Sequence, residues 1–177
     1  MSQFNQPNSV FIAPNCDPNK MDTTTLYAPG DLGKLVVKGQ KRYQVVQLKA
    51  GETAVVGALA FWSDRTNYVV VAADANAIGG GTTNAWRNQV AGVFTNIPTA
   101  GNYCCILQQA PATPVLGATG GGVGQQVIPQ TTGTGQVTFI AVGGTASTYQ
   151  LLGVAREATG GTTANFVTMD LMIQPIP

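Results

Sequence analysis

The chain has 177 residues, 44% of them hydrophobic and only 10% charged, with a formal net charge of +1 and no histidine. That length suits one domain with room for a buried core, and so small a net charge offers no broad field to draw nucleic acid, anionic lipid or an acidic substrate. Without an imidazole, His-based triads, His-containing zinc sites and haem ligation through His are excluded, and the commonest general base is missing.

An average soluble protein carries roughly 25% charged residues. Here the many Thr, Gln and Asn residues must keep the surface wet, while 22 Gly and 10 Pro supply turns and argue against long helices. Cys16, Cys104 and Cys105 are odd in number and lack a CxxC spacing, which argues against a disulfide framework and fits synthesis in a reducing cytoplasm. The opening Met1-Ser2-Gln3-Phe4-Asn5 has neither a basic start nor an apolar stretch, so no secretory signal is expected. The longest apolar run, Ala54 to Trp62, is far shorter than the ~20 residues of a membrane helix, and no membrane partner is expected.

In chain order, residues 1–30 are polar and rich in Pro and Asn, with a single apolar stretch, Val10-Phe11-Ile12. They read as an extended arm that cannot bury enough of itself to offset its ordering entropy and so must lie against the domain or a neighbouring subunit. Residues 31–177 read as the domain. Leu35-Val36-Val37 and Tyr43 to Leu48, separated by Lys38-Gly39-Gln40-Lys41, predict a hairpin. Ala54 to Trp62 predicts the next strand, then the turn Ser63 to Asn67 and the β-branched run Tyr68 to Val71. Ala72 to Asn84, with three consecutive glycines, reads as a long loop.

Further strands are expected over Gln89–Thr95, Asn102–Gln109, Gly124–Ile128, Gly135–Val142, Tyr149–Arg156 and Asn165–Ile173, each set off by Gly, Pro or Thr turns. In the last, Val167, Met169, Leu171 and Ile173 alternate with polar or mixed neighbours and name the face turned to the core. Adjacent Cys104 and Cys105 would point to opposite faces of their strand, at least one as a small buried hydrophobe. Many short strands punctuated by turns imply an all-β fold, an antiparallel sandwich or barrel of jelly-roll-like character with an extended N-terminal arm. Gln89-Val90-Ala91-Gly92-Val93 echoes Gln150-Leu151-Leu152-Gly153-Val154. Two copies make no solenoid, and a glycine inside a strand marks a bulge or a close backbone approach.

Catalytic readings fail one residue at a time. Gly120-Gly121-Gly122-Val123-Gly124 lacks the Lys-Ser/Thr of a phosphate loop, and Asp74-Ala75-Asn76 lacks the Gly and distal Glu of a calcium loop, so an Asx turn accounts for it better. The eight carboxylates are scattered singly and suggest no glycosidase pair. A Cys104 or Cys105 nucleophile would have no His beside it. No catalytic residue, cofactor or metal ligand is expected, and Trp62 and Trp86 read as core or interface anchors before they read as stacking platforms.

No charged residue occurs anywhere from Asn88 to Ala155. A monomer exposing all of it would lack the charges that resist association and the lysines that guard strand edges, so the tract is expected to form inner sheets and subunit contacts, with the charges between Lys20 and Arg87 facing solvent or a larger assembly. Candidate interface residues are Phe4, Val10, Phe11, Ile12, Trp62, Trp86, Tyr103, Ile106 and Ile140.

Gly30-Asp31-Leu32-Gly33, Tyr43 to Leu48, Phe61-Trp62-Ser63-Asp64, Arg87 to Phe94, Thr99 to Tyr103 and Leu152 to Ala155 together resemble tailed-bacteriophage head decoration, or capsid cement, proteins. The resemblance covers most of the chain after Gly30 and rests on strand and turn patterns. It implies a small β-sandwich or barrel, usually oligomeric and often trimeric, that sits on the virion exterior and clamps neighbouring major capsid protein subunits, with no direct nucleic-acid contact and no catalytic residues. The long Pro/Asn-rich arm departs from a minimal cement protein. A tail or fibre component that recognises a host surface glycan is the alternative.

Overall fold

In the computed structural model the described residues are 29–72, 77, 89–117, 121–130, 135–140, 150–157 and 166–173. Apart from one 3-10 turn at Pro29–Asp31, the elements are all strands: β1 (Leu35–Lys38), β2 (Lys41–Leu48), β3 (Leu59–Asp64), β4 (Val69–Val71), β5 (Val90–Phe94), β6 (Tyr103–Leu116), β7 (Gln126–Pro129), β8 (Val137–Ile140), β9 (Gly153–Ala155) and β10 (Phe166–Met172). The protein is therefore all-β. The arm expected over residues 1–30 lies outside the described residues except at 29 and 30.

The strands join in the order β1-β2-β4-β3-β5-β6-β10-β9-β7-β8, and a further pairing of β2 with β6 closes β2, β4, β3, β5 and β6 into a five-stranded barrel. All pairings between strands are antiparallel except β2 with β4. Closure removes the edges of the barrel strands. β1 adds to β2 at one end, β10, β9, β7 and β8 extend the sheet from the second half of β6 at the other, and an isolated bridge from Val137 back to Gly117 curls that far end toward β6 again.

Alternation along each barrel strand sends side chains into two clusters. One consists of Val46, Leu48, Ala54, Ala60, Trp62, Val70, Ala91, Phe94, Cys104 and Ile106. The other takes Tyr43, Val45, Leu59, Phe61, Val71, Val93, Cys105 and Leu107 and continues through Val115, Val127, Val137, Leu152, Val167, Met169, Leu171 and Ile173 into the outer strands. Both faces of the barrel strands are thus buried, which is why these strands read as continuous apolar runs. Cys104 and Cys105 fall in different clusters, as their adjacency requires. The alternating face of β10 is the buried one.

The strand expected over Tyr149–Arg156 is, among the described residues, confined to Gly153–Ala155, and two other elements depart from the sequence reading. The strand expected from Ala54 begins at Leu59, because a turn closed by Ala58 N–H to Val55 O carries Gly57 at φ +82° and takes the first residues out of the ladder. β6 continues past Gln109 to Leu116 through Pro111 and Pro114, where proline would ordinarily end an interior strand. A bulge makes this possible. Between the pairs Leu171↔Ala110 and Met169↔Thr113, β6 advances three residues while β10 advances two, and the extra residue, Ala112, takes φ +46°.

Candidate functional site

The β6 bulge is where polar chemistry gathers on the outer strands. Its unpaired Ala112 N–H donates to Asp170 Oδ1 at 3.1 Å, and the same oxygen accepts from Arg156 Nε at 2.6 Å. Both side chains are partly exposed. The hydrogen bond from Arg156, followed by that from Ala112, holds the Asp170 carboxyl below its ordinary value. On one side of the bulge lies a shallow depression of about 500 Å³ lined by Gln40, Gln109, Pro111, Arg156, Asp170 and Met172. On the other, Lys41, Tyr43, Val56, Thr95, Thr113 and Pro114 line a smaller one of about 220 Å³.

The other described carboxylates with assigned partners serve an ion pair or backbone and turn geometry. Asp31 pairs with Lys34 at 2.6 Å, and Glu52 accepts from Ala72 N–H at 3.0 Å. Asp64 accepts from the Asn67 side chain at 2.7 Å and its N–H at 3.1 Å, which lowers its pKa and closes the expected Ser63–Asn67 turn. Among the described residues no three of His, Cys, Asp and Glu gather where a metal could be held, and no helix is long and apolar enough to cross a membrane.

The structure redistributes the candidate interface residues. Ile106 is fully buried and Trp62 is only 6% exposed, packed in the same cluster of barrel residues. They are corrected from interface to core, since neither presents a surface to a partner. Trp62 meets Tyr68 edge-to-face at 6.4 Å. Tyr103 and Ile140 are partly exposed, on different strands. Phe4, Val10, Phe11, Ile12 and Trp86, like Cys16 and Asp74, lie outside the described residues.

Two arginines expected to face outward are partly buried. Arg42 Nη2 donates to Ile173 O at 3.0 Å, with its pKa lowered by burial, and Arg65 bonds the Gln89 side chain. Within the uncharged tract β5 is buried throughout and β6 for most of its first half. Much of the missing charge therefore reflects the core of this chain. Among the tract's described residues, Ile97, Val123, Leu151 and Val154 are the large apolar side chains left exposed, joined by Phe166 and Met172 from β10.

Glutamines do work that the sequence reading did not assign. Gln108 Nε2 donates to Gln44 Oε1 at 2.6 Å and Ala91 O at 3.3 Å, while Gln44 Nε2 donates to Gly33 O, so a buried amide chain ties β6 and β2 to β5 and to the loop before β1. Gln150 brackets Val90, accepting from its N–H at 3.0 Å and donating to its carbonyl at 3.2 Å. The two echoed segments therefore meet, and their shared glutamine was the available signal. Their glycines sit at close approaches: a Cβ on Gly92 would lie 2.9 Å from both Ile106 Cβ and Leu107 O.

Asp170 gives a pH prediction with a definite sign. A carboxyl whose folded pKa is depressed adds stability that is present above its unfolded pKa and is lost as pH falls through the folded value. Asp170→Asn is expected to be less stable than wild type at neutral pH, with the gap closing as pH drops below the ordinary aspartate value of about 3.9. Denaturation midpoints measured from neutral to strongly acid pH check it. A gap independent of pH would assign the loss to altered shape instead of charge.

Comparison of the chain with protein-family models, with curated proteins and with solved structures gave no match.

Proposed function

We propose that the chain is a virion structural protein without catalytic activity that decorates the outer surface of a bacteriophage capsid and cements it by bridging major capsid protein subunits, as a homo-oligomer with a trimer favoured. The observation that carries this reading is the surface left once the core is accounted for. It holds exposed apolar side chains, Val123, Leu151, Val154, Phe166 and Met172, on a frame in which Asp31 is paired with Lys34 and Glu52, Asp64 and Asp170 are engaged with turns or backbone. Apolar groups on a poorly charged surface suit a permanent contact. Repeated contacts of modest strength around a shell sum by multivalency. The test is binding of purified protein to shells stripped of decoration, followed by a reconstruction of the particle. Saturable binding over the head supports the reading, and absence from the head overturns it.

The arm supplies a second expected result. Deleting residues 2–28 should weaken occupancy of the shell by at least about tenfold, because one of several linked contacts is removed. Quantifying bound protein against total shell checks it, and unchanged occupancy would exclude the arm from binding.

A glycan-recognising tail or fibre component is the second reading, supported by the depression in which Gln40, Gln109, Arg156 and Asp170 converge. Position in the virion separates the two, since cement covers the head and an adhesin sits at the tail in few copies.

A further inference from the structure

The sheet ends at two strands, β1 and β8, and they are treated differently. Lys34 precedes β1 and Lys38 ends it, both exposed, the first paired with Asp31. Lysines at an edge are a common device against pairing with another chain. β8 reads Val137-Thr138-Phe139-Ile140, with no charge and no proline, and its partner β7 is also uncharged. Val137 is buried and bridged to Gly117. From Thr138 to Ile140 the described residues supply a strand on the β7 side alone, and all three side chains are partly exposed. Val123, 66% exposed, follows Gly121, which lies under the Phe139 ring, and so extends the same uncharged region.

We infer that the β8 edge, Thr138–Ile140, is the contact through which the chain binds a second copy of itself. The inference rests on the homo-oligomeric reading above and names its surface. The occupant follows from electrostatics. Around a symmetry axis like surfaces crowd together, so a charged edge would repel its own image, whereas an uncharged edge meets it without that penalty. Arg156 and Glu157 follow β9, and β7 separates that strand from β8. A partner recognised by charge would find nothing to hold here. Backbone N–H and C=O groups pointing away from β7 supply the affinity, as when one strand adds to another sheet.

The test uses the full chain. Light scattering over a concentration series is run on wild type, Thr138→Lys, Ile140→Lys and the β1-edge control Val37→Lys. Circular dichroism on each confirms folding. Wild type and the control should assemble alike, while each β8 variant should self-associate at least about tenfold more weakly. In parallel, wild type is followed by hydrogen exchange at high and low concentration, without mutation. Amides of Thr138–Ile140 should be protected only where the chain is associated. Assembly that survives both lysine variants, with no concentration-dependent protection, overturns the β8 contact while leaving the oligomer intact. A wild type that stays monomeric overturns both self-association and this contact, whereas shell binding is judged separately. Protection that appears only on capsid shells would give the edge to the capsid protein and overturn the inference.

Discussion

Gly153→Ala is expected to destabilise the folded protein by at least about 3 kcal/mol, a severe loss for one methyl group. Gly153 lies in β9 between β10 and β7, paired with Leu171 on one side and Val127 on the other, at φ +154°. A Cβ there would fall 1.8 Å from the Asp170 carbonyl oxygen and 2.7 Å from Met169 Cε. The methionine can turn aside, but the carbonyl belongs to the ladder and can move only if β9 and β10 separate. Gly124→Ala is the control. It has φ +82° and open space around its Cβ position, so it should lose only the left-handed backbone penalty of about 1–2 kcal/mol. Chemical denaturation of both variants checks the difference. Equal losses would mean that β9 does not press against β10 as described.

The glycines show how far the sequence could be read. The Q-h-h-G-V echo marked Gly92 and Gly153 as bulge or close-approach positions because a strand interior otherwise disfavours glycine, and both prove to be close approaches. The Lys38–Lys41 turn, the buried face of β10 and the opposed cysteines were legible for a similar reason, since each depends on local chemistry or a two-residue period. β6 was not. Its passage through Pro111 and Pro114 depends on Asp170, fifty-eight residues away from Ala112, satisfying the bulge N–H, and no local pattern announces a partner so distant. The parallel pairing of β2 with β4 is hidden in the same way, because short strands carry no mark of direction.

The candidate site was legible only in part, and the uncharged tract explains why. Lack of charge is demanded equally by a strand buried on both faces and by a subunit contact, so composition cannot separate them. Val90–Phe94 and the first half of β6 belong to the first kind. Among the described residues, the partly exposed edge of β8 and the exposed Ile97, Val123, Leu151 and Val154 are what remains for the second. Burial therefore removes β5 and the first half of β6 from the surface, and the self-contact inferred above is placed within what is left.

Ile106 and Ile140 make that division measurable. Ile106→Lys is expected to abolish cooperative folding, leaving the chain largely unfolded at room temperature. The side chain is fully buried in the cluster formed by Val46, Leu48, Trp62, Phe94 and Cys104, and its Cβ already stands 2.9 Å from where a Gly92 Cβ would be. The polar groups on that side of β6, Gln44 and Gln108, bond each other and backbone carbonyls and leave one buried amide oxygen, Gln108 Oε1, without a partner, but the cluster holds no carboxylate to neutralise an ammonium ion. An unpaired buried charge costs several kcal/mol beyond the lost packing, out of a total stability of about 5–15 kcal/mol. Ile140→Lys, on a partly exposed edge, should fold and change only self-association. Thermal unfolding followed by circular dichroism separates the two outcomes. A cooperatively folded Ile106→Lys with wild-type stability would return that residue to the surface and to the list of interface candidates.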